Sequence, residues 1–389
     1  MDRAMTANNA RTQRIRGTLL GLAWGDALGC PVEYWSHEQI TQVHGQYRDL
    51  PTTYPFERLP NTQRIWEHLR PLGLHSDDTQ QALALLQVCL ADGGFTIESW
   101  ADCLVEGHRT RAWRGTGRNF RTAVEQLLSG AAPQRAGSPS AGLGGAMRIG
   151  PIGALYRDDP ERLRDVVLTA TWCTHADLRA VSLAYAVAAA CRALVLGADV
   201  QTVAAQLPEL VATFEDYADH LGFGGTCGGE PAGMVEPLRE ALAGDFRHPA
   251  ELRQWLKARA RSWLKDASDL SDVPSHAFAP IGGLHALAMG LWRGPEVEPQ
   301  ALLADTIAQG GDADTVGAIT GALLGARFGA AWIPTRRLWD TIALEAYASA
   351  LTSGELPEAR TAFLAREAGY TLSDRRFRDE AAARRPGVE

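Results

Sequence analysis

The spacing of apolar residues constrains this chain most, because it follows a helical period through most of its 389 residues. Within residues 11–28, Ile15, Leu19 and Leu22 fall on one helix face, and residues 79–91 repeat the pattern. The alternation that half-buried strands show is nearly absent. The same spacing predicts further helices over 96–107, 119–129, 160–172, 178–196, 201–218, 234–243, 250–264, 280–291, 299–308, 314–329, 336–351 and 357–368. We therefore predict an all-α fold.

Two long segments rich in glycine, proline and serine interrupt these helices, at residues 131–145 and 222–233. Helices of unchanged composition flank both segments, so neither is typical of a linker between domains. We predict one compact domain over residues 1–372, with long loops that line a site. The charged segment 373–389 is expected to fray as a C-terminal tail.

The composition is that of an ordinary globular protein, with 46% hydrophobic and 22% charged residues. The net charge of −8 gives no electrostatic reason to expect a nucleic acid partner. The sequence has no run of eighteen apolar residues, and its N-terminus is polar. We therefore expect no membrane association and a cytoplasmic location.

The cysteines give no sign of disulfides or zinc. They are scattered without CxxC spacing, at Cys30, Cys89, Cys103, Cys173, Cys191 and Cys227. Most lie in apolar helical segments, so we expect buried free thiols. The ten histidines show no paired ligand spacing, which leaves zinc without support.

The first acidic cluster stands directly before an amphipathic helix and contains Ser76, Asp77, Asp78 and Thr79. Such residues favour helix starts because their oxygens accept hydrogen bonds from free backbone N–H groups, so an N-cap is the simple interpretation. One cap needs only one of them, however. Two adjacent carboxylates with two hydroxyls also form an oxygen-rich group that suits a hard divalent cation.

The second acidic cluster opens another helix with Asp312, Asp314 and Thr315, and capping is again the simple alternative. Glycines then recur every four residues along this helix, at positions 317, 321 and 325. Each glycine costs about 1 kcal/mol in a helix interior, so three in register indicate that a neighbouring helix backbone must come close. The acidic helix start would then be held firmly in place.

Together the two helix starts predict a site for a pair of divalent ions. Their four carboxylates would offset two divalent charges, and without metal they would repel one another. Oxygen ligands favour Mg²⁺ or Mn²⁺, whereas zinc prefers histidine or cysteine.

A third cluster follows the first helix, where Asp26 is expected to bond loop backbone at the helix end. Glu33 lies just beyond the break at Pro31, beside Tyr34 and Trp35. A carboxylate in such a segment can have a raised pKa and act as acid or base. A surface glutamate is the alternative from this segment alone.

The three clusters resemble the ADP-ribosylglycohydrolase family, which includes the dinitrogenase reductase-activating glycohydrolases and the (ADP-ribosyl)hydrolases. GDALGCPVE at 25–33, SDDT at 76–79 and GGDADTVGAITGALLGA at 310–326 are similar to its three main signatures, in the same order. Weaker similarity lies at 114–120, 142–151 and 174–190.

This resemblance implies a compact orthogonal helical bundle with two Mg²⁺ or Mn²⁺ ions at its centre. It also implies cleavage of the N- or O-glycosidic bond that joins ADP-ribose to a protein side chain, with release of ADP-ribose. The expected partner is an ADP-ribosylated protein or a small ADP-ribosyl conjugate. Carboxylates suit this chemistry because they stabilise the oxocarbenium-like transition state of a ribosyl group.

The resemblance assigns roles to individual residues. It implies metal ligands at Ser76, Asp77, Asp78, Asp312, Asp314 and Thr315. Glu33 matches a mobile acidic residue near the metals, so it is a candidate for proton transfer or metal gating. Asp77 and Asp78 are the competing candidates for the catalytic base.

The resemblance also places the diphosphate of the substrate against the loop at 138–148. The implied substrate-binding residues are Ser140, Gly142, Gly144, Gly145 and His175. Backbone N–H groups of such a glycine loop can hold an anion, although an ordinary flexible loop is the alternative. Leu143 stands where the family commonly carries asparagine, which puts one polar contact and the substrate preference in doubt. A structural histidine is the alternative for His175.

Two functions compete on this basis. The first is a metal-dependent hydrolase that removes ADP-ribose. The second is a binding protein with the same fold, such as an immunity factor that occludes an ADP-ribosylating toxin without catalysis. Because the six implied metal-binding positions all carry oxygen ligands, the sequence favours the hydrolase.

Overall fold

The structure, a computed structural model, describes residues 2–225, 233–263, 277–295 and 298–387. Its α-helices are α1 Asp2–Gly29, α2 His37–His44, α3 Gln63–His68, α4 Asp77–Leu90, α5 Ile97–Arg109, α6 Arg118–Leu128, α7 Pro133–Ala136, α8 Gly150–Leu155, α9 Pro160–Trp172, α10 Leu178–Val195, α11 Val200–His220, α12 Val235–Ala243, α13 Pro249–Trp263, α14 Leu284–Gly290, α15 Pro299–Ile307, α16 Ala313–Phe328, α17 Thr341–Ser353 and α18 Arg360–Ala382. Within the described ranges there are isolated β-bridges but no strands, which confirms the all-α prediction.

The longer predicted helices all occur, with ends shifted by a few residues in most cases. The segment expected at 280–291 divides into a π-helical turn, Ala279–Gly283, and then α14. The sequence interpretation missed α2, α3, α7 and α8. Each has eight residues or fewer, which is too short for a helical period to show.

Helices α1 and α16 pack against each other in antiparallel register through glycines. The glycines at 17, 21 and 25 of α1 face those at 325, 321 and 317 of α16. A Cβ atom on Gly21 would lie 2.1 Å from the carbonyl oxygen of Gly321, and one on Gly321 would lie 2.0 Å from that of Gly21. The two backbones are therefore in direct contact. This confirms the close approach predicted for α16 and brings the end of α1 beside the start of α16.

Helix α10 lies in the core and contacts α8, α9, α11 and α16. By length and composition it could cross a membrane, with a mean hydropathy of 1.6 over Leu178–Val195. However, 78% of that window is buried inside the protein, as expected for a core helix.

The C-terminal segment differs from its prediction. Residues from 373 onward continue α18 as far as Ala382, so the expectation of a frayed tail is wrong over that range. The charged residues of this segment do not all face solvent, because Asp374 is fully buried and lies 3.9 Å from Arg70. Earlier in the same helix, buried Glu367 lies 2.9 Å from Arg114. Ion pairs to the protein interior thus hold the helix in place.

The cysteine prediction is confirmed where the structure describes it. The five cysteines in the described ranges are all buried and free: Cys30, Cys89, Cys103, Cys173 and Cys191. Cys227 lies outside the described residues, as does most of the glycine-rich segment 222–233.

Candidate active site

A cavity of about 140 Å³ lies where the end of α1 and the starts of α4 and α16 meet. Nine of the residues predicted for the site line this cavity: Glu33, Asp77, Asp78, Gly142, Gly144, His175, Asp312, Asp314 and Thr315. Ser76, Ser140 and Gly145 do not line it. Two acidic helix starts and the 138–148 loop, far apart in the sequence, are thus brought to one place.

At the start of α4, one hydroxyl is enough to cap the helix. Ser76 accepts a hydrogen bond from the backbone N–H of Asp78, and its own hydroxyl donates to Asp78 Oδ2 at 2.9 Å. Asp77 and Asp78 are therefore free of the capping role and face the cavity. Ser76 contacts Asp78 rather than the cavity, so its role as a metal ligand stays a prediction.

Asp26 of α1 also accepts hydrogen bonds from the start of α4. Its carboxylate accepts hydrogen bonds from the backbone N–H groups of Ser76 and Thr79 and from the Thr79 hydroxyl, at 2.6–3.1 Å. This agrees with the structural role expected for Asp26. Because Asp26 belongs to α1, it fixes α4 relative to the helix pair α1 and α16.

The segment after α1 pairs with the turn before α16. The backbone N–H of Tyr34 donates to the Gly311 carbonyl at 2.7 Å, and that of Gly311 donates to the Trp35 carbonyl at 2.9 Å. Gly310 has a φ of 78°, and a Cβ atom there would lie 2.1 Å from the Trp35 oxygen. This pairing holds Glu33 against the acidic start of α16.

The geometry of the carboxylates fits a hard divalent cation. Oxygen atoms of Glu33, Asp312 and Asp314 all lie within 4.8 Å of one another. Asp78 adds a buried Oδ1 atom without a hydrogen-bond partner in the protein. A divalent cation binds several oxygen ligands at once, so it could be held by these carboxylates. Without a cation, the buried carboxylates would repel one another.

Burial and mutual repulsion disfavour the charged forms of these groups. Burial raises the pKa of Glu33 to about 7, against the opposing effect of Arg70 at 3.7 Å. Burial likewise raises the pKa of Asp77 to about 6. The pKa values of Asp312 and Asp314 rise well above the ordinary range, through burial and then through neighbouring carboxylates. The cluster therefore favours a positive partner at neutral pH.

A short chain of hydrogen bonds links the acidic end of the cavity to its opposite end. Gln81 donates to Asp77 Oδ2 at 2.8 Å, and its Oε1 accepts from Arg148 at 2.5 Å. Arg148 also donates to the Thr174 hydroxyl at 2.7 Å, which lies 3.0 Å from His175 Nδ1. Gln81 lines the cavity, yet the sequence interpretation did not identify it. Its spacing of four residues after Asp77 on a helix was the available signal.

The glycines of the 138–148 loop are needed for packing. A Cβ atom on Gly144 would lie 2.4 Å from the His175 ring, and one on Gly145 would lie 2.2 Å from Thr171. Backbone pairing between Ser138 and the 174–176 segment holds the loop against this histidine. Burial, with Arg148 next in effect, lowers the pKa of His175 to about 3, so the imidazole is neutral.

Leu143 occupies a loop position at which asparagine was expected from the family resemblance, and Asn119 of α6 lies near the same loop. Leu143 lines the cavity but belongs to the hydrophobic core and is 3% exposed. Asn119, from α6, also lines the cavity and donates to the Ser140 hydroxyl at 2.7 Å. An amide is therefore present at the cavity although Leu143 is apolar. The sequence interpretation did not identify Asn119, because its proximity to the loop depends on how α6 packs.

Comparison with known proteins agrees with this geometry. The sequence model of the family described as ADP-ribosylglycohydrolase matches residues 7–360. The chain belongs to the ADP-ribosylglycohydrolase family. An uncharacterised protein of Archaeoglobus fulgidus is 29% identical over 81% of this chain and 88% of its own length. The ADP-ribosylhydrolase ARH3 of Bos taurus is 27% identical over 82% of this chain and 86% of its own.

A solved structure supports the fold of this family member as well. A chain described as an ADP-ribosylglycohydrolase-related protein complex superimposes with a TM-score of 0.61 at 27% identity, covering 90% of this chain and all of the other. The family match and these relatives indicate ADP-ribosyl hydrolase activity of the glycohydrolase type.

Proposed function

We propose that this chain is a divalent-metal-dependent hydrolase that cleaves the glycosidic bond between ADP-ribose and a protein side chain. The observation that carries the proposal is the convergence of five carboxylates on one cavity whose other end is a glycine loop with a neutral histidine. The carboxylates belong to Glu33, Asp77, Asp78, Asp312 and Asp314. The substrate class implied by the family fits these two different ends of the cavity. The ribose would lie at the acidic end, and the diphosphate would lie at the end formed by the glycine loop.

The acidic end would hold two Mg²⁺ or Mn²⁺ ions through Asp77, Asp78, Asp312, Asp314 and Thr315, with Ser76 supporting Asp78. Such ions would supply positive charge that orients ribose hydroxyls and polarises water. Asp314 is the ligand best fixed in place, because it accepts from the backbone N–H of Thr315 at 2.9 Å on a helix held by glycine packing.

Glu33 is the proposed acid–base group. Its pKa near 7 allows it to accept and return a proton at neutral pH, and it faces the cavity beside Asp312 and Asp314. Arg70 fixes this carboxylate from one side and is itself held by Asp374 of α18. Asp77, oriented by Gln81, is the alternative base.

The far end of the cavity favours an anion. Arg148 is fully buried and, within the described ranges, has no carboxylate at ion-pair distance; its hydrogen bonds go to Gln81, Thr174 and the Ala170 carbonyl. Burial lowers its pKa to about 10, so the guanidinium keeps its charge at neutral pH. A diphosphate next to His175 would gain from this charge.

The test is release of ADP-ribose from ADP-ribosylated arginine and serine peptides, with Mg²⁺, Mn²⁺ or EDTA. We expect metal-dependent release, and loss of about 10² or more in turnover for Asp314→Asn, in line with removal of an electrostatic stabiliser. The Mg²⁺-induced rise in melting temperature should vanish in the same variant.

Asp305→Asn is the matched control, because it removes a carboxylate that pairs with Arg48 outside the cavity. Its turnover and its response to Mg²⁺ should equal those of the wild type. Full activity of Asp314→Asn in EDTA would refute the metal-dependent mechanism. Binding of ADP-ribose without any hydrolysis would instead favour the binding protein.

A further inference from the structure

A second cavity adjoins the active site and carries the opposite charge. Its volume is about 510 Å³, and the lining residues that matter are His108, Arg109, Arg111, Phe120, Arg121 and Arg375. No acidic residue lines it in the described part of the chain. Four guanidinium groups thus surround one cavity in a protein with a net charge of −8.

Three of these arginines lack an internal partner. Arg109, Arg111 and Arg375 are exposed, and no carboxylate of the described chain lies within 4.0 Å of their guanidinium groups. Some arginines on other faces are paired, since Arg239 and Arg337 each lie beside a carboxylate. The positive charge of the second cavity is therefore available to a ligand.

The backbone at Arg111 supports a role for its side chain. Arg111 follows α5 with a φ of 58°, a left-handed conformation that glycine or asparagine adopts more easily. The backbone N–H of Ala112 donates to the Gly107 carbonyl at 2.9 Å, which closes the turn. The turn itself therefore does not favour arginine over glycine or asparagine at position 111, which points to a role for the arginine side chain.

One short segment separates the two cavities. Gly115, Gly117 and Asn119 line the active-site cavity, whereas Thr116 and Arg121 line the second one. Phe120 lines both. The two cavities therefore lie side by side. When the modified side chain of a substrate protein occupies the active site, its neighbouring residues can contact the arginines of the second cavity.

We propose that the second cavity binds an acidic segment of the protein that carries the ADP-ribose, and so selects acceptors with carboxylates near the modified residue. This inference rests on the proposed function. Guanidinium groups bind carboxylates through paired hydrogen bonds, and three unpaired arginines suffice for a few acidic side chains. A nucleic acid is disfavoured, because a long polyanion would also run over the acidic remainder of the surface.

One arginine of this cavity lies outside the family-matched segment. Arg375 lies on α18, beyond the residues 7–360 that match the family model. Acceptor preference would thus be set partly by a C-terminal helix outside the family-matched segment.

The test compares peptides ADP-ribosylated on the same residue, with either flanking glutamates or flanking glycines, and a small ADP-ribosyl-arginine conjugate. The variant is R109Q/R111N/R375Q, in which asparagine suits the left-handed backbone and glutamine suits the helix. We expect KM for the acidic peptide to rise roughly tenfold, as three exposed charge pairs would give, with kcat retained. Hydrolysis of the small conjugate should not change. Arg336→Gln, at an exposed arginine that lines neither cavity, is the control.

Equal KM values for the acidic and glycine-flanked peptides in the wild type would overturn the inference, as would an unchanged KM in the triple variant. Fluorescence anisotropy with the unmodified acidic peptide tests the cavity independently of catalysis. If no substrate is hydrolysed but the peptide binds and the triple variant releases it, the proposed function fails and the acidic-peptide site stands. Tighter binding of a single-stranded oligonucleotide than of the acidic peptide would overturn it in favour of nucleic acid.

Discussion

Leu143 shows how the surroundings of a residue decide what its substitution does. The side chain is 3% exposed and packs in the hydrophobic core, with its Cδ2 atom 3.1 Å from where a Cβ atom on Gly283 would lie. An asparagine at 143 would lose apolar burial and place an amide in an apolar setting. We therefore expect Leu143→Asn to lower the free energy of unfolding by about 1.5–3 kcal/mol, without tighter binding of ADP-ribose.

Denaturant unfolding and calorimetric titration with ADP-ribose and Mg²⁺ check this prediction. Leu143→Met is the matched control, since it keeps volume and polarity and should cost less than about 1.5 kcal/mol. An asparagine variant that is as stable as the wild type and binds ADP-ribose more tightly would show that the loop has room for the amide.

The acidic residues of the site were predictable from the sequence, because a carboxylate at a helix start is a local feature. Asp78 and Asp314 follow this rule, and the cavity contains both. Arg70 and Asn119 were not predictable, because each reaches the site or supports it only through packing between distant segments.

At the scale of helices, the contact between α1 and α16 is the most sensitive to substitution. A Cβ atom on Gly21 would lie 2.1 Å from the Gly321 carbonyl oxygen, which belongs to rigid backbone. Gly21→Ala should therefore force the helices apart and lower the free energy of unfolding by more than about 2 kcal/mol, although alanine favours helices intrinsically. Urea unfolding followed by circular dichroism measures this change.

The control for this prediction is Gly369→Ala in α18, where a Cβ atom would meet nothing within 4 Å. It should raise stability by roughly 0.5–1 kcal/mol, since only helix propensity acts there. If both alanine variants gain stability, the close contact between α1 and α16 is not present in solution.

One half of this contact was predicted from the sequence. The glycines of α16 stood out because they recur every four residues. The glycines at 17, 21 and 25 of α1 have the same spacing, but the sequence interpretation did not use it. Helix α18 was misinterpreted for a similar reason, because its charge pattern is typical of a solvated segment. Buried Arg114, from elsewhere in the chain, is the partner of Glu367. Asp374 pairs with Arg378 of its own helix at 2.8 Å and lies 3.9 Å from buried Arg70.

At the scale of the whole molecule, the fold concentrates buried charge around one cavity. Carboxylates whose folded pKa is raised hold protons that the unfolded chain releases, so they lower stability as pH rises through the folded pKa. Burial raises the pKa of Asp77 to about 6 and that of Glu33 to about 7, so this loss begins near the ordinary carboxyl pKa of about 4 and is complete above about pH 7. His175 and His285 act in the opposite sense below about pH 6.5, because burial lowers their pKa values to about 3.

The difference between melting temperatures measured with Mg²⁺ and with EDTA cancels the contribution of the histidines. A divalent cation binds the deprotonated carboxylates, so protons compete with it below the pKa values of Asp77 and Glu33. We expect the stabilisation by Mg²⁺ to be small at pH 5.5 and to grow between pH 6 and 8, with affinity rising up to about tenfold per pH unit for each proton displaced. Differential scanning fluorimetry over this range, with Asp314→Asn as the variant that should show no pH-dependent shift, checks the prediction. A Mg²⁺ shift of equal size at pH 5.5 and pH 8 would mean that the cation binds away from these carboxylates, because no site built on them escapes competition from protons.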